Sequence, residues 1–268
     1  MTFAPIIPPL GLGTWDLRGT DCVRAVHEAL DMGYRHVDTA QMYENEREVG
    51  RGLKESGVPR EDLFLTTKLW LDSLTRKAVP KTTNECLKRL ATDYVDLLLI
   101  HWPAASVPLS ETLGAMSVLL GSGKARSIGV SNFTTGLWRQ ALELAPVGVN
   151  QVEFHPFLNQ DDLVRFAREK DLRIVAYTPL AKGRASLEPA IVEIARAHGR
   201  TPTQVTLRWL IQHPGVAAIP KASRREHLRE NLGIFDFELD EAEMKALSGL
   251  GRNLRLVDPG WAPDWNAR

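Results

Sequence analysis

Short apolar runs and longer segments of helical periodicity alternate along the whole chain. Eight runs rich in Val, Ile and Leu have the length of buried strands, and they lie at residues 10–13, 35–37, 63–66, 95–100, 127–130, 148–152, 173–176 and 216–219. Among them, apolar residues that recur every three or four positions predict helices, at residues 21–32, 46–55, 75–90, 109–120, 137–144, 161–170, 188–198, 202–212 and 225–232. This alternation indicates a parallel sheet, because parallel neighbours need crossover connections, which the helices supply.

Two α/β architectures fit the alternation: a closed (β/α)₈ barrel and an open, doubly wound sheet. The open sheet carries a glycine-rich turn between its first strand and first helix. Here the corresponding residues, Gly11-Leu12-Gly13-Thr14, lack the third glycine and open no helix at once. The sequence therefore favours the α/β class of the (β/α)₈ TIM barrel, and a chain of 268 residues is close to the usual size of that fold.

Local signals set the helix starts and the domain organisation. Thr201 before Pro202 predicts a capped helix start with a proline in its first turn. Asp240 followed by Glu243 resembles a capping box and predicts a last helix that ends near residue 250. Residues 251–268 are rich in Pro, Gly and Trp and predict an irregular C-terminal segment. No Ser/Gly linker interrupts the chain, so we expect residues 1–268 to form a single barrel domain.

Charge and cysteine content argue against several classes of protein. The 33 basic and 33 acidic residues give no net charge, whereas nucleic-acid-binding domains usually carry a basic stripe. Cys22 and Cys86 are the only cysteines, which indicates buried thiols in a reducing compartment rather than a disulfide framework. His101 and His155 belong to no cluster with metal-ligand spacing, so no metal site is expected.

The N-terminal residues and the hydropathy of the chain predict where the protein resides. The N-terminus lacks the basic start and long apolar run of a signal peptide. No stretch approaches the ~18 apolar residues of a membrane span. We therefore expect a cytoplasmic protein without membrane or nucleic-acid partners.

Polar residues stand where the predicted strands end. Asp38 follows the second strand, Lys68 the third and His101 the fourth, and Tyr43 lies in the loop beyond Asp38. Further polar residues end the later strands, namely Ser131, Asn132, Gln151, Tyr177 and Lys221. The carboxyl ends of barrel strands meet at one mouth, where barrel enzymes carry out their chemistry, so these side chains are expected to converge.

Each of the first four residues has a simpler interpretation when it is taken alone. Asp38 could cap a turn, and Tyr43 could be a surface ring. Lys68 could be a solvated lysine at a strand end, and His101 a satisfied core histidine. Their common place at one end of adjacent strands favours a catalytic interpretation.

These four side chains suit the reduction of a carbonyl group. Hydride addition builds negative charge on the carbonyl oxygen, which needs a proton donor and a stabilising group. A phenol with a pKa of about 10 is a poor acid, and a nearby ammonium favours its phenolate. A carboxylate keeps a partly buried lysine charged, and a histidine can orient the carbonyl. Tyr43, Lys68, Asp38 and His101 match these roles in turn.

A series of motifs, in order and over nearly the whole chain, carries a family resemblance. They are GLGTW at residues 11–15, GYRHVDTAQMYENEREVG at 33–50, TTKLW at 66–70, DYVDLLLIHWP at 93–103, IGVSNF at 128–133, NQVEFHP at 150–156, AYTPLAKG at 176–183, IPKASRREHLREN at 219–231 and FDFELDEAEM at 235–244. With these motifs the chain resembles the aldo-keto reductase family.

The resemblance implies a (β/α)₈ barrel and an oxidoreductase acting on CH–OH groups. In that family a nicotinamide cofactor is bound without a glycine-rich dinucleotide motif, and aldehydes or ketones are reduced to alcohols. The family's catalytic tetrad maps onto Asp38, Tyr43, Lys68 and His101 without departure. By resemblance, Tyr43 is the proton donor, Lys68 and Asp38 tune its acidity, and His101 orients the carbonyl.

Further positions match the cofactor contacts of the family. Ser131, Asn132 and Gln151 match its carboxamide-binding set. Tyr177 matches the ring that stacks on the nicotinamide, although a core aromatic would look the same in the sequence. The remaining matches are Leu180 near the pyrophosphate, Lys221 and Arg224 at the ribose phosphate, and Glu230 and Asn231 at the adenine.

Two departures bear on the choice of cofactor. Ala222 stands where the family commonly has serine, and His227 stands where members that bind the 2′-phosphate tightly have arginine. A neutral histidine lacks the charge and the fork of donors of a guanidinium. Lys221 and Arg224 still place positive charge near the phosphate. The expected cofactor is therefore NADP(H), with a weaker preference over NAD(H) than in the arginine-bearing members.

Three tryptophans and the chain ending bear on the substrate. Trp15, Trp70 and Trp102 match the aromatic wall of the family's substrate pocket. The ending RLVDPGWAPDW at residues 255–265 resembles the bacterial 2,5-diketo-D-gluconate reductase B group. That group acts on diketo sugar acids such as 2,5-diketo-D-gluconate, on methylglyoxal and on other small carbonyls. The resemblance thus implies an NADP(H)-dependent reductase of small carbonyl compounds, and a monomer.

Two other functions stay open on the sequence. A nicotinamide-cofactor-binding sensor or regulatory subunit could use the same fold, since fold does not fix function, but it would not need the complete tetrad. A phosphate-binding barrel lyase or isomerase would not need Tyr177 or the set of Ser131, Asn132 and Gln151.

Overall fold

A curved parallel sheet forms the centre of the protein, whose structure is a computed structural model that describes residues 4–158 and 160–265. Within these residues, eight strands pair in the order of the chain. They are β1 Leu12–Gly13, β2 His36–Asp38, β3 Phe64–Leu69, β4 Leu97–Ile100, β5 Ile128–Ser131, β6 Val147–Glu153, β7 Arg173–Tyr177 and β8 Val216–Ala218. Each strand overlaps one of the predicted apolar runs, and its bounds differ from the predicted ones by at most three residues.

Backbone hydrogen bonds between the segment before β1 and the end of β8 close this sheet. Gly11 N donates to Ala218 O at 2.9 Å, and Ala218 N donates to Pro9 O at 2.8 Å. Leu10 pairs with Ala218 in parallel register. The predicted (β/α)₈ barrel is confirmed, and the open sheet is the wrong alternative.

Helices connect and follow the strands. In the described residues they are α1 Gly19–Asp31, α2 Glu46–Glu55, α3 Ala78–Leu90, α4 Leu109–Gly121, α5 Thr135–Leu144, α6 Asp161–Glu169, α7 Pro189–Ala197, α8 Pro202–Gln212, α9 Arg225–Leu232 and α10 Glu241–Ser248. The predicted bounds of α2, α8 and α9 agree at both ends, and the other bounds differ by at most about three residues, which is ordinary for frayed helix ends.

Capping boxes begin α8 and α10, as the sequence predicts. The Thr201 side chain accepts a hydrogen bond from Gln204 N, and the Gln204 side chain accepts one from Thr201 N. Asp240 and Glu243 form the same reciprocal pair. These bonds satisfy N–H groups that a helix start otherwise leaves without partners.

Two layers of apolar side chains follow from the alternating side-chain direction along each strand. On β4, Leu97 and Leu99 belong to the cluster inside the barrel, whereas Leu98 and Ile100 pack with the helices outside it. The inner cluster consists of Phe64, Leu97, Leu99, Val149, Val175, Ala217 and Ile219. Because both faces of the sheet are buried, the strands are nearly continuous apolar runs in the sequence.

The segment after α10 contains no helix or strand over residues 251–265. It is tied to the chain beyond β6, since Arg252 N and Leu254 N both donate to Phe157 O, at 3.1 and 3.0 Å. Residues 266–268 of the predicted irregular segment lie outside the described residues, as do residues 1–3 and 159 of the predicted domain. That residues 1–268 form a single domain stays a prediction.

Three further features concern cysteines, membrane spans and metal ligands. Cys22 and Cys86 are buried free thiols. Over residues 4–158 and 160–265, no helix has both the length and the apolar character needed to span a membrane. The same stretches contain no group of three or more His, Cys, Asp or Glu side chains that could hold a metal ion.

Candidate active site

A cavity of about 670 Å³ opens at the carboxyl ends of the strands, and its size is typical of small-molecule sites. Gly13 lies in its wall, where a Cβ atom would approach Ile219 O to 2.6 Å, so only glycine fits at this close approach of β1 and the chain after β8. The predicted site residues that line the cavity are Trp15, Asp38, Tyr43, His101, Trp102, Ser131, Asn132, Gln151, Tyr177, Leu180 and Lys221.

Lys68 is fully buried next to this cavity, and each of its three N–H groups has an acceptor. Its Nζ donates to Asp38 Oδ1 at 2.5 Å, to Thr39 O at 2.9 Å and to Tyr43 Oη at 3.2 Å. The second oxygen of Asp38 accepts a hydrogen bond of 2.7 Å from Gln151 Nε2. A buried charge is costly unless it is paired and hydrogen-bonded, and this network meets both conditions.

The loop after β2 places the phenol of Tyr43. A short 3₁₀ turn over Gln41–Tyr43 follows the strand. Asn45 fixes the base of the turn, since its Nδ2 donates to Thr14 O at 2.8 Å and its Oδ1 accepts a hydrogen bond of 2.8 Å from Thr39 Oγ1. On the neighbouring strand, Lys68 shares the inward face with Phe64, four residues earlier. Two adjacent strands thus bring the ammonium and the phenol together.

The ionisation of Tyr43 and Lys68 reflects a balance between burial and charge. Burial raises the pKa of Tyr43 above its ordinary value of 10.0, and the Lys68 ammonium opposes this rise. The sequence predicts that Lys68 lowers the pKa of the phenol; the ammonium acts in that direction, but burial outweighs it. For Lys68, burial lowers the pKa, but Asp38 and Tyr43 outweigh burial and raise it above 10.5. At neutral pH the site therefore holds a protonated phenol beside an ammonium.

His101 is a neutral imidazole beside Tyr43. Burial, and secondly the Lys68 ammonium, lower the pKa of His101 well below 6.5. Its ring meets the rings of Tyr43 and Trp70 edge to face, with centroids 5.6 and 5.1 Å away. Its Nδ1 is buried without a hydrogen-bond partner. A proton on Nδ1 would be an unsatisfied buried donor, so Nε2 is the less costly place for it.

Asn132, at the end of β5, connects three sides of the cavity. Its φ of 63° lies in the left-handed region, which asparagine tolerates better than most residues. Its Nδ2 donates to His101 O at 3.0 Å and to Ser131 Oγ at 3.1 Å, and its Oδ1 accepts a hydrogen bond of 2.8 Å from Tyr177 Oη. Ser131 Oγ in turn donates to Gln151 O at 2.8 Å. The structure thus brings the predicted carboxamide set and Tyr177 together in one network.

Aromatic rings of the cavity lining belong to a larger set of ring contacts, which includes two tryptophans of the C-terminal segment. Trp70 does not line the cavity but stands behind the His101 ring. Trp261 and Trp265 were not assigned from the sequence, although the tryptophan-rich ending is a signal for them. The ring pairs are Trp15 with Tyr43 at 4.9 Å, Trp70 with Trp261 at 6.1 Å and Trp102 with Trp265 at 6.1 Å between centroids.

The other predicted cofactor residues lie on or next to α9, outside the cavity lining. Arg224 precedes the helix and His227 lies on it, and both are exposed. Glu230 accepts a hydrogen bond of 2.5 Å from Thr201 Oγ1, and Asn231 is buried. Only Lys221 joins this group to the cavity. Neither Lys221 nor Arg224 forms an ion pair with a carboxylate of the described residues.

Sequence reasoning assigned no role to Glu153, which the structure places at the end of β6. This glutamate is fully buried. Its carboxylate accepts hydrogen bonds from Leu256 N at 2.8 Å and Val257 N at 2.9 Å, and both residues line the cavity. Its place two residues after Gln151, on the same face of the strand, is the signal that could have identified it.

Comparisons with known proteins agree with this fold. The aldo/keto reductase family model matches residues 9–252. The chain is 41% identical over 266 residues to methylglyoxal reductase DkgB of Yersinia pestis, and this match covers 97% of the chain and 99% of that protein. It is 44% identical over 253 residues to an aldo-keto reductase of Mycobacterium ulcerans, with 93% and 89% coverage.

Solved structures give the same result. One is the crystal structure of a protein assigned by inference as 2,5-diketo-D-gluconic acid reductase B. It superposes on this chain with a TM-score of 0.95 and is 44% identical in sequence, over 97% of this chain and 94% of that chain. Another is the aldose reductase of Schistosoma japonicum, with a TM-score of 0.91 at 33% identity, over 98% and 96%. Because both its sequence and its barrel match those of aldo/keto reductases, the chain belongs to the aldo/keto reductase family.

Proposed function

We propose that the protein reduces aldehydes and ketones to alcohols with NADP(H), and that Tyr43 donates the proton. The observation that carries this proposal is the direction of one hydrogen bond. Lys68 Nζ is the donor to Tyr43 Oη, so the hydroxyl proton of the tyrosine is left to point elsewhere. Tyr43 lines the cavity, and a carbonyl oxygen seated there would accept that proton.

Lys68 and Asp38 make the phenol a usable acid. As the proton leaves Tyr43, negative charge develops on its oxygen, 3.2 Å from the Lys68 ammonium. A charge-assisted hydrogen bond in a buried site stabilises that charge more strongly than it would in water. Asp38 keeps Lys68 charged, and the raised pKa of Lys68 means that its proton stays on the nitrogen.

His101 is the second donor to the carbonyl oxygen. A neutral ring with its proton on Nε2 can donate a hydrogen bond without placing another positive charge beside Lys68. Edge-to-face packing against Tyr43 and Trp70 holds the ring in place. Two donors, one from Tyr43 and one from His101, then define the position of the carbonyl and stabilise charge on its oxygen.

The residues around the cavity suit a nicotinamide cofactor, which supplies the hydride when it is bound. Tyr43, the flat ring of Tyr177 and the exposed residue Lys221 all line the cavity. We assign the carboxamide contacts to Ser131, Asn132 and Gln151. Tyr177 would stack on the nicotinamide ring and Leu180 would lie near the pyrophosphate.

The contacts to the 2′-phosphate distinguish the two nicotinamide cofactors, because only NADP(H) carries that group. Lys221 and Arg224 are exposed cations without a carboxylate partner in the described residues, so both are available to a 2′-phosphate. His227 adds a donor without a fixed charge, and Glu230 and Asn231 would hold the adenine. NADP(H) is the proposed cofactor, and NAD(H) would bind less tightly.

The substrates that we propose are small carbonyl compounds, namely 2-oxoaldehydes such as methylglyoxal and diketo sugar acids such as 2,5-diketo-D-gluconate. The names of the relatives support this class. The cavity supports it as well, because Trp15 and Trp102 line it together with the polar side chains of Asp38, Tyr43 and His101, as expected for a substrate with an apolar face and several oxygens. We further propose that the enzyme acts in the cytoplasm as a monomer.

A substrate panel with both reduced cofactors tests the proposal. Oxidation of NADPH or NADH is followed at 340 nm with methylglyoxal, 2,5-diketo-D-gluconate and a simple aldehyde. We expect turnover with NADPH that exceeds turnover with NADH. Tight binding of NADPH without turnover of any carbonyl would instead show a cofactor-binding protein without reductase activity. Sedimentation velocity tests the monomer.

A further inference from the structure

Glu153 holds the C-terminal segment by its backbone. Each carboxylate oxygen accepts a hydrogen bond from a different amide: Oε1 from Leu256 N at 2.8 Å and Oε2 from Val257 N at 2.9 Å. His155 Nε2 lies 2.9 Å from Oε1. No solvent reaches Glu153 or His155. The end of β6 and residues 256–257 are therefore joined inside the protein rather than at its surface.

The need for two hydrogen-bond acceptors explains why a carboxylate stands at position 153. Two successive backbone N–H groups need two acceptors, and a carboxylate supplies both, whereas a glutamine supplies one acceptor oxygen and an NH₂ group. A carboxylate that is removed from water is costly unless hydrogen bonds satisfy it. Arg255 adds a favourable charge: burial lowers the pKa of this guanidinium, and Glu153 opposes that shift. Hydrogen bonds to an ionised group are about twice as strong as neutral ones.

The position of residues 256–257 determines the wall of the cavity. Leu256 and Val257 line the cavity. Farther along the segment, Trp261 packs against Trp70, and Trp265 packs against Trp102. Trp70 in turn packs against His101. A segment released at residues 256–257 would move the wall that faces the carbonyl.

We propose that Glu153 is a positioning residue for substrate binding, which acts by fixing the C-terminal segment as the wall of the cavity. This role rests on the proposed reductase function. Glu153 does not need to contact the substrate, because its two oxygens are occupied by the segment. Loss of the carboxylate then weakens substrate binding and leaves the Tyr43–Lys68–Asp38 network intact.

The first test is Glu153→Gln, with Glu143→Gln as the matched control. Glu143 is an exposed residue of α5, so both variants lose one carboxylate. We expect amide hydrogen exchange to accelerate about tenfold in E153Q at one of the two residues 256 and 257, because one of the two donors loses its acceptor. The KM for phenylglyoxal, a bulky 2-oxoaldehyde, is expected to rise by about tenfold, and kcat to change much less. E143Q is expected to match the unaltered protein in both measurements.

A second pair of variants tests the same bond from the other side and does not alter β6. Val257→Pro removes the N–H group that donates to Glu153 Oε2, while Val257→Ala keeps it and shortens the side chain. We expect KM for phenylglyoxal to rise further in V257P than in V257A. This comparison remains decisive if E153Q does not fold.

The outcomes separate this proposal from the proposed function. Unchanged exchange at residues 256 and 257 in folded E153Q, or equal KM values for V257P and V257A, would overturn the positioning role. So would a fall in kcat at constant KM. If the unaltered protein reduces no carbonyl, the reductase function fails, and the positioning of substrate by Glu153 fails with it. Exchange at residues 256 and 257 then still measures whether Glu153 holds the segment.

Discussion

Lys68 Nζ lies 2.5 Å from Asp38 Oδ1, and both side chains are almost completely removed from solvent. Buried ion pairs of this kind contribute little net stability, since an apolar pair of similar volume often serves as well. What the pair provides is an ammonium held at hydrogen-bond distance from the phenol of Tyr43. We therefore attribute the pair to chemistry rather than to folding, and this distinction can be tested.

Tyr43→Phe removes the proposed proton donor and keeps the ring. General acid catalysis typically contributes ~10²–10⁴-fold, so kcat is expected to fall by about that factor. The ring contacts with Trp15 and His101 remain, and folding should change little. The rate of NADPH oxidation with methylglyoxal measures the loss, and a fluorescence titration shows whether NADPH still binds. Turnover within a few-fold of the unaltered protein would remove Tyr43 from the role.

Asp38→Asn leaves the Lys68 ammonium buried without a carboxylate. Breaking one side of a buried pair typically costs about 3–5 kcal/mol, whereas replacing both sides by uncharged residues can be nearly neutral. We expect D38N to lower the free energy of unfolding by about that amount and the double variant D38N/K68M to recover most of it. Urea unfolding followed by circular dichroism measures both.

Activity separates the chemical role of this pair from its structural role. The double variant D38N/K68M regains stability but has no ammonium beside Tyr43, so turnover should remain as low as in Tyr43→Phe. High turnover in the stable double variant would contradict the assignment of Lys68 as the group that tunes the phenol.

Some features of the site follow from the sequence, and others need the packed barrel. Asp38, Lys68 and His101 could be placed because each directly follows an apolar strand, and parallel strands bring their ends together. The strand pattern shows that Glu153 shares a face with Gln151, but its role could not be assigned, because its partners are the backbone N–H groups of Leu256 and Val257, which carry no residue-type signal. The direction of the Tyr43 pKa shift was also beyond reach, since it depends on how far burial exceeds the effect of Lys68.

Strand lengths show the same limit. The sequence predicts the first strand over residues 10–13, and the structure restricts β1 to Leu12–Gly13. Leu10 pairs only with Ala218, on the closing side of the barrel. Closure of the sheet is a long-range event, which hydrophobic periodicity within a short window does not encode.

The pH dependence of the reaction should reflect a neutral His101. Its pKa lies well below 6.5 because the ring is buried beside Lys68. The imidazole therefore stays neutral as the pH falls from 8 to about 6, and kcat/KM for methylglyoxal should stay flat over that range. At high pH, kcat/KM should fall only above pH 10, since burial raises the pKa of Tyr43.

A pH–rate profile with initial rates measures both limits. His101→Gln keeps a hydrogen-bond donor but cannot titrate, so its profile serves as the control. An acid limb near pH 6.5 in the unaltered protein, absent from H101Q, would show that His101 titrates like an ordinary histidine.

His36, at the opposite end of the barrel from the mouth, should make stability depend on pH. Burial lowers the pKa of His36 to about 4, whereas an unfolded histidine has a pKa of about 6.5. Between these values the unfolded chain binds a proton that the folded protein does not, so stability falls as the pH falls from 6.5 to 4. The expected loss over that window is about 3 kcal/mol.

His36→Gln isolates this contribution from other titrating groups. Urea unfolding of the unaltered protein and of H36Q is compared at pH 7, 5.5 and 4. The difference in unfolding free energy between the two should shift in favour of the variant by about 3 kcal/mol as the pH falls. A constant difference across the three pH values would show that His36 titrates alike in both states.

His227→Arg should strengthen the preference for NADPH over NADH. His227 and Arg224 are exposed and three residues apart at the start of α9, so a guanidinium at position 227 would lie on the same side of the helix start as that of Arg224. It would add a fixed charge and a fork of donors for the 2′-phosphate, a group that NADH lacks. We expect the ratio of the NADH dissociation constant to the NADPH dissociation constant to rise by about tenfold, as measured by fluorescence titration.

Gln140→Arg adds the same charge on α5, on an exposed surface, and should leave that ratio unchanged. Equal gains in affinity for both dinucleotides in H227R would mean that position 227 contacts a part of the cofactor common to both, and the assignment of this corner to the 2′-phosphate would be wrong.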